Sequence, residues 1–392
     1  MGSKNRYLIF VLFFFPTLLF AQEKLDYGYA DSLTYSYYIN GEWNKLICLG
    51  QSAIDNKIDY KFLRQRIGYA FFVQGNYYDA IFQFENALTF DSYDQFSLEY
   101  LYYSYLNTGK KDYAGVLEKR LNPELRNSLS VKTFKVLESI ELEYNFKYAT
   151  AESRSNPQYY RIGIKTKLGY RLSLSQSFSG FNQVIYFQRF GRNVENPYKQ
   201  SEYYALLKYN VLNRLLVKTA YHYIQTTSGT SVTDGNLFLI AFTGDLNHFL
   251  FELNGSALNI EQEIEYQTGI QTGYTFPGRS GFYLKGALSG IIQQNNNRLI
   301  YDQKAGLKVM KKLWLEGYVT FGRLTDYNDY SGLYIYNTYD PTIFRFGASA
   351  YLPLNRNVSL WTNFSFESKE YLESSTNHYN QFSYLGGIKW KL

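Results

Sequence analysis

The chain has 392 residues, enough for two domains, and is rich in Tyr (42) and Phe (30) but holds only 7 Pro. Its net charge of +6 is modest and spread along the chain, which argues against nucleic acid as a partner. Cys48 is the single cysteine, so an intramolecular disulfide is excluded, and its neighbours predict a buried apolar role.

Residues 1–21 have the pattern of a secretory signal peptide. Lys4 and Arg6 precede the apolar core Tyr7–Phe20, and the small Ala21 offers a cleavage site. The core has 14 residues, short of the roughly 20 that a spanning helix needs. We therefore expect the rest of the chain to be exported.

Residues 22–136 are predicted to form an α-helical domain, because aromatic, glycine and small residues recur every 34 positions. The registers are Tyr37, Phe71 and Tyr105; Gly41, Gly75 and Gly109; and Ala53, Ala87 and Leu121. They divide the domain into units at about 27–60, 61–94 and 95–128. Small residues let paired helices approach, and each glycine suits a left-handed cap at the end of a first helix.

The pattern resembles the tetratricopeptide repeat, a 34-residue helix–turn–helix unit that stacks into a solenoid. The middle unit matches best, through Gly68, Gly75, Ala80 and Ala87, whereas the first unit has Leu46 at a small-residue position. The resemblance implies a concave groove for a glycan or a periplasmic protein. Its lining would be Tyr35, Tyr38, Gln65, Tyr69, Phe72, Glu99 and Tyr103. The alternative is that several of these aromatic residues pack between repeats.

Residues 137–392 alternate apolar and polar residues, which is typical of a transmembrane antiparallel β-barrel in the outer membrane. About fourteen strands are predicted, with twelve as the alternative if segments merge. The segments are Ser139–Tyr148, Tyr159–Leu168, Arg171–Phe190, Glu202–Leu212, Arg214–Thr226, Asn236–Thr243, His248–Asn259, Ile264–Phe276, Gly281–Gln293, Leu299–Met310, Leu313–Leu324, Ile343–Leu352, Val358–Ser368 and Phe382–Leu392. The predicted fold is thus multidomain α+β.

Short turns alternate with longer links along these segments. The longer links are Thr150–Gln158, Gly191–Ser201, Thr227–Gly235, Thr325–Thr342 and Glu370–Gln381. Short turns of such barrels face the periplasm, so the helical domain, which precedes the first strand, should lie in the periplasm. The last strand, with its alternating aromatic residues, resembles the signal read by the barrel-assembly machinery. That machinery and outer-membrane lipid are the implied partners.

The inward face is predicted to be polar and basic, and a basic lumen would attract anions. Its basic residues are Arg161, Lys165, Lys208, Lys218, Lys285, Lys304 and Arg345. The alternative is a plugged lumen filled by Lys/Arg–Glu pairs and Tyr. In the longest link, Asp326, Asp329 and Asp340 stand among tyrosines, which suggests an extracellular calcium or glycan contact, or simply a solvated loop.

The three histidines have no metal-ligand spacing, and the sequence contains no catalytic constellation. We therefore expect neither enzymatic activity nor a cofactor.

Repeats followed by a barrel resemble two groups of proteins. One is the repeat-containing exporters of exopolysaccharide, and the other, closer in size, is the YaiO-type outer-membrane barrel preceded by tetratricopeptide repeats in Bacteroidota. The shared features are the units at 27–128, the opening strand at 139–148 and the closing GGIKWKL at 386–392. The resemblance implies a conduit or accessory in exopolysaccharide export. The alternative is a plugged barrel that anchors a repeat adaptor for periplasmic or secretion-system proteins.

Overall fold

The computed structural model describes residues 25–392, apart from 133, 190–191, 261–262, 294–296 and 311. A helical region leads into a closed antiparallel barrel of fourteen strands. The predicted order of helices and barrel, and the higher of the two predicted strand numbers, are confirmed. The predicted signal peptide lies outside the described residues.

In the part of the chain that the structure describes, seven α-helices precede the barrel, together with a short 3-10 helix at Glu118–Arg120. They are α1 (Tyr27–Asn40), α2 (Trp43–Asp55), α3 (Lys61–Val73), α4 (Tyr77–Phe90), α5 (Gln95–Asn107), α6 (Lys111–Leu117) and α7 (Pro123–Ser128). Helices α1, α3 and α5 begin 34 residues apart, and so do α2, α4 and α6. The 34-residue period of the sequence is therefore a period of helix–turn–helix pairs. None of the described helices is long and apolar enough to cross a membrane.

Glycine ends the first helix of each pair, as predicted. Gly41, Gly75 and Gly109 have φ values of 69°, 77° and 75°, the left-handed conformation that costs glycine least. Small residues then set the helix spacing, because a Cβ on Gly68 would lie only 2.9 Å from the ring of Phe84. Larger residues at such positions would push the paired helices apart.

Cys48 is exposed, so the prediction of a buried apolar role is wrong. The buried residues of α2 are Leu46, Gly50 and Ala53, which follow the helical period. Cys48 is two residues from Leu46 and therefore points away from that stripe.

The barrel is built from fourteen strands that pair with their neighbours in chain order. They are β1 (Lys135–Ala149), β2 (Gln158–Lys167), β3 (Leu172–Arg189), β4 (Arg192–Leu212), β5 (Leu215–Ser228), β6 (Ser231–Leu246), β7 (Phe249–Ile260), β8 (Glu263–Thr275), β9 (Tyr283–Ile292), β10 (Arg298–Met310), β11 (Leu313–Phe321), β14 (Thr342–Pro353), β15 (Val358–Tyr371) and β16 (Ser374–Lys391). Two short strands, β12 (Asn328–Asp329) and β13 (Tyr334–Ile335), form a separate hairpin between β11 and β14. The first and last strands close the barrel, from Ser139 opposite Lys391 to Ala149 opposite Gln381.

Three predicted links are in fact strand. Residues 192–201 belong to β4, residues 231–235 belong to β6, and residues 374–381 belong to β16. These segments are mostly polar, so they lack the alternation of apolar and polar residues that identifies the other strand segments. They include the buried Tyr198 and Tyr379, and backbone pairing with the neighbouring strands continues through them.

The outer face of the barrel carries exposed apolar side chains. The exposed apolar residues of the strands include Phe249, Phe251, Leu253, Leu284, Leu288, Phe346 and Phe364. Inward neighbours such as Glu252 and Ser365 are buried and polar. An apolar exterior with a polar interior is the arrangement of outer-membrane barrels.

Candidate functional site in the barrel lumen

The lumen is obstructed by the connection between β11 and β14. Residues 327–338 of this connection, hereafter the plug, fold inward and contact strands on several sides of the barrel. Tyr334 Oη donates to Glu143 Oε2 on β1 at 2.9 Å, and Arg345 Nη2 on β14 donates to Asp329 Oδ2 at 3.0 Å. On β8, Gln267 Nε2 donates to the Asn328 carbonyl at 3.0 Å. The plug is therefore held by side chains from widely separated strands.

The tip of the plug fits against the wall formed by β4, β5 and β6. His222 Nδ1 donates to the Gly332 carbonyl at 2.7 Å, and Tyr204 Oη donates to the Ser331 carbonyl at 2.9 Å. Gly332 has a φ of 83°, and a Cβ there would lie 2.7 Å from Leu237. Only glycine meets both the backbone conformation and the lack of space.

Asp340 fastens the base of the connection. Its carboxylate accepts from Arg154 Nε at 2.6 Å, from Arg154 Nη2 at 3.1 Å and from Tyr379 Oη at 2.9 Å. Arg154 also contacts Glu373 at 2.7 Å. This cluster joins the β1–β2 loop, the plug connection and the β15–β16 hairpin at one end of the barrel.

The helical domain covers the opposite, short-turn end. Lys110 Nζ, which precedes α6, lies 2.7 Å from Asp245 Oδ2 at the end of β6, and Glu118 Oε2 lies 2.5 Å from Lys167 Nζ on β2. Arg279, in the β8–β9 turn, donates to the Gln74 carbonyl at 2.7 Å. The structure thus places the helices on the side expected from the order of the chain.

His248, in the β6–β7 turn, is a further contact between the two parts. Its Nδ1 donates to the Thr275 carbonyl at 2.7 Å, and its Nε2 lies 3.0 Å from Asp79 Oδ1 on α4. Two acceptors at the two ring nitrogens favour the doubly protonated imidazolium. Burial lowers the pKa of His248, but Asp79 and the Thr275 carbonyl outweigh burial, so the net pKa is raised above its usual value.

The predicted groove residues fall into two groups. Tyr38, Tyr69 and Phe72 are partly buried in an aromatic stack, with ring centroids 5.4 Å apart for Tyr38 and Tyr69. Gln65 is buried and donates to Asp94 Oδ2 at 2.6 Å. These four residues pack between helices, which matches the packing alternative.

The other groove residues are accessible. Tyr35 is 54% exposed and Tyr103 is 36% exposed, while Glu99 is partly exposed. They lie on α1 and α5, the first helices of the first and third pairs. Of the predicted groove residues, these three are the ones accessible to a binding partner of the helical domain.

Six of the seven predicted lumen cations have an acidic partner. The pairs are Arg161–Glu143 (2.8 Å), Lys165–Glu138 (3.4 Å), Lys208–Asp112 (3.4 Å), Lys218–Glu252 (2.6 Å), Lys304–Asp302 (3.4 Å) and Arg345–Asp329 (3.0 Å). The seventh, Lys285, lies 4.7 Å from the ring centroid of Tyr283. Local pairing therefore compensates much of the positive charge that the strands carry inward.

Open space remains on both sides of the plug. A cavity of about 630 Å³ lies between the plug and the wall formed by β14, β15, β16 and β1, lined by Tyr351, Trp361 and Lys389 among others. A cavity of about 480 Å³ lies beneath the helical domain, where Lys208, Lys285 and Trp314 line it. The lumen is interrupted rather than filled.

The role of the longest link was missed by sequence reasoning. Asp329 and Asp340 pair with Arg345 and Arg154, and the described residues hold no cluster of potential metal ligands. The expectation of a solvated loop is wrong, because Tyr327 and Asp340 are buried. The sequence feature that could have indicated an inward fold is an apolar residue within a polar link, such as Ile335. An apolar side chain in a loop is stabilised by burial.

No protein-family model and no curated protein matches the sequence. Among solved structures, the chain is similar to a bacterial polysaccharide outer membrane secretin (6% identity, TM-score 0.41, covering 66% of this chain and 99% of that chain). It is also similar to the outer membrane protein Omp33 of Acinetobacter baumannii (9%, 0.37, 66% and 99%) and the toluene transporter TodX of Pseudomonas putida (6%, 0.40, 65% and 89%). At these scores the likeness carries no information about function, and the strand pairing itself establishes the fold.

Proposed function

We propose that the protein is an outer-membrane barrel, closed at rest, that anchors a periplasmic helical adaptor. In this proposal the helix pairs are tetratricopeptide repeats and the architecture is that of the YaiO type. The barrel sits in outer-membrane lipid after insertion by the barrel-assembly machinery, and the protein is not an enzyme.

The obstructed lumen is the observation that carries this proposal. The plug is bonded to β1, β4, β5, β8 and β14, and the helical domain covers the short-turn end through buried ion pairs. Because the plug obstructs the lumen and the helices cover the short-turn end, the arrangement favours a membrane anchor over an open pore. The same ion pairs hold the helices in a fixed place relative to the membrane, which an adaptor requires.

The accessible aromatic residues of the helical domain supply the partner surface. Tyr35 and Tyr103 expose large aromatic faces, which are enriched at protein interfaces. Glu99 adds a carboxylate on the same helix as Tyr103. We assign this surface to a periplasmic protein of the secretion or envelope machinery.

Conductance in a planar bilayer tests the closed state. We expect refolded protein to be electrically silent, and a variant in which residues 327–338 are replaced by a short Gly-Ser linker to conduct. Steady conductance of the unmodified protein would contradict the proposal. Retention of heat-modifiable migration on gels shows that both proteins are folded barrels.

Photo-crosslinking tests the adaptor. A crosslinking amino acid at Tyr35 or Tyr103 should capture the same periplasmic protein in cells. The matched control is Tyr69, which is partly buried in the aromatic stack and should capture little. Equal capture at Tyr69 would show that the exposed surface is not the binding site.

The second candidate is a gated conduit for exopolysaccharide export. The cavity of about 630 Å³, with Tyr351 and Trp361 on its wall, favours it because sugar rings stack on aromatic faces. Here the plug would move aside during export. Loss of secreted polysaccharide in cells that lack the gene, restored by the full chain but not by a plug cross-linked to β1, would support this candidate over the adaptor.

A further inference from the structure

Four lysines converge where the helical domain meets the lumen. Lys389 and Lys391 lie on β16, Lys165 lies on β2, and Lys111 begins α6. Lys165 and Lys391 are both directly opposite Ser139 in the strand pairing, so the three side chains share the inward face in one row. Lys111, Lys389 and Lys391 all line the cavity of about 630 Å³.

The charges of this cluster are only partly compensated. Lys389 Nζ lies 2.5 Å from Glu141, and Lys165 Nζ lies 3.4 Å from Glu138. Lys111 and Lys391 form no ion pair with any carboxylate among the described residues. Lys111 is exposed at the edge of the cluster, yet partial desolvation by the surrounding protein and the ammonium groups of Lys391, Lys389 and Lys165 lower its pKa to about 8, although Glu138 opposes this. Positive charge therefore accumulates at this end of the lumen.

Two buried hydroxyl groups stand beside the lysines without a partner. Ser139 Oγ and Ser359 Oγ make no hydrogen bond with the described residues, although their side chains are 1% and 0% exposed. Ser359 is directly opposite Lys389, as Ser139 is opposite Lys391. A buried hydroxyl that lacks a partner is unfavourable, but neither serine is among the residues that line the cavity, so the lysines and not the serines supply its polar contacts.

The same cavity presents aromatic faces. Trp361 on β15 lies against Gly387 of β16, where a Cβ would be 2.1 Å from its ring. Glycine at this position lets the indole lie along the barrel wall. Tyr351 and Asn363 are also part of the lining. Aromatic faces and amide groups beside a cationic cluster are the groups that an acidic sugar would need, since the ring stacks and the carboxylate binds ammonium.

We propose that the lysine cluster and Trp361 form a binding site for an acidic saccharide, with its carboxylates on Lys111 and Lys391 and a sugar ring on Trp361. The cavity volume of about 630 Å³ falls within the usual range of about 300–1,000 Å³ for ligand pockets. Lys111 also lines a cavity of about 180 Å³ at the seam between the helical domain and the barrel, which places the site next to that seam. The site does not depend on whether the barrel conducts or on which protein the helices bind.

Calorimetric titration of the full refolded chain in detergent tests the proposal. The probes are a trimer of β-1,4-linked glucuronate, cellotriose, which has the same linkage without carboxylates, and inorganic phosphate. We expect the glucuronate trimer to bind with an affinity that falls as salt increases, and cellotriose to bind at least about tenfold more weakly. Phosphate that binds as tightly as the trimer would overturn the assignment to a saccharide, and absence of trimer binding would overturn the site.

Three variants locate the site. Lys111→Gln and Lys391→Gln remove charges that have no carboxylate partner, so neither leaves an unpaired acid, and each should weaken trimer binding by about tenfold. Trp361→Leu should weaken trimer binding but leave phosphate binding unchanged. The control is Lys119→Gln, an exposed lysine of the same domain that should leave binding unchanged. Equal binding by all variants would contradict the proposal.

Discussion

Arg154 and Asp340 are 186 residues apart in the sequence, yet two hydrogen bonds of 2.6 and 3.1 Å join their side chains. Both residues are almost completely buried, at 5% and 1% exposure. The pair joins the loop after β1 to the connection between β11 and β14, which contains the plug. Its position at the end of the barrel, away from the helical domain, makes it the anchor of the closed state.

Asp340→Asn should lower the free energy of unfolding by about 3–5 kcal/mol, because it removes one member of a buried ion pair. Guanidinium unfolding in detergent measures the loss. The matched control is Glu373→Gln, since Glu373 contacts the same arginine but its side chain is 47% exposed. It should cost about 1 kcal/mol or less. Equal losses in the two variants would show that burial of Asp340 is unimportant.

Gly332→Val should displace the plug. The substitution places a branched side chain at a φ of 83°, against Leu237 at the barrel wall. We expect a folded barrel that shows channel openings in a planar bilayer, where the unmodified chain shows none. Gly255→Val is the control, because no atom lies within 4 Å of a Cβ at that strand position. A silent Gly332→Val barrel would mean that the tip of the plug does not close the lumen.

Docking of the helical domain should weaken as the pH rises. The pKa of His248 is raised in the folded state, so the contribution of its contact with Asp79 is fully present below about 6.5 and is lost as the pH rises through the folded pKa. The expected effect is a fall of a few degrees in the midpoint of helix unfolding between pH 6 and pH 8.5. Circular dichroism at 222 nm measures that midpoint.

His248→Asn removes the titrating group and should flatten this pH dependence, with the midpoint held near its high-pH value. The nearby Lys110 and Asp245 remain as an ion pair in both proteins, so their contribution to docking is the same in the two. An unchanged pH profile in His248→Asn would assign the titration to another group.

Lys110→Met should release the helical domain more strongly than loss of the histidine contact does. The variant leaves the buried Asp245 without its partner at 2.7 Å, which costs about 3–5 kcal/mol. The double variant Lys110→Met/Asp245→Leu should recover part of this loss, because two apolar residues replace the pair. The helix unfolding midpoint reports both effects, and a double variant worse than the single one would contradict the argument.

Local patterns predicted most of the architecture. The 34-residue spacing of Gly41, Gly75 and Gly109 located the ends of three helices, because a left-handed cap is a property of a few neighbouring residues. Alternation located all fourteen barrel strands, since each has one face toward an apolar surrounding and one toward the lumen. Where the alternation is missing, as at residues 231–235, the first part of β6 is not predicted although the rest of that strand is.

The candidate site could be predicted only in part. Alternation predicts which basic residues face inward, but their partners come from distant parts of the chain, as with Lys208 and Asp112 of α6. The sequence also gave no sign that Tyr69 would pack inside the helical stack while Tyr35 stays exposed. The exposure of each tyrosine depends on which helices lie beside it, and the packing of the helices decides this rather than the residue type.

The sequence by itself determined the helix period, a strand number of twelve to fourteen and the polarity of the two barrel faces, because each follows from interactions between residues close in the chain. The tertiary structure alone decided that residues 327–338 turn inward, that Asp340 meets Arg154, and that Lys111 joins Lys391 at the lumen. These contacts depend on closure of the barrel and docking of the helices. Closure brings together charges that are far apart in the chain, and their pairing decides whether the lumen is open.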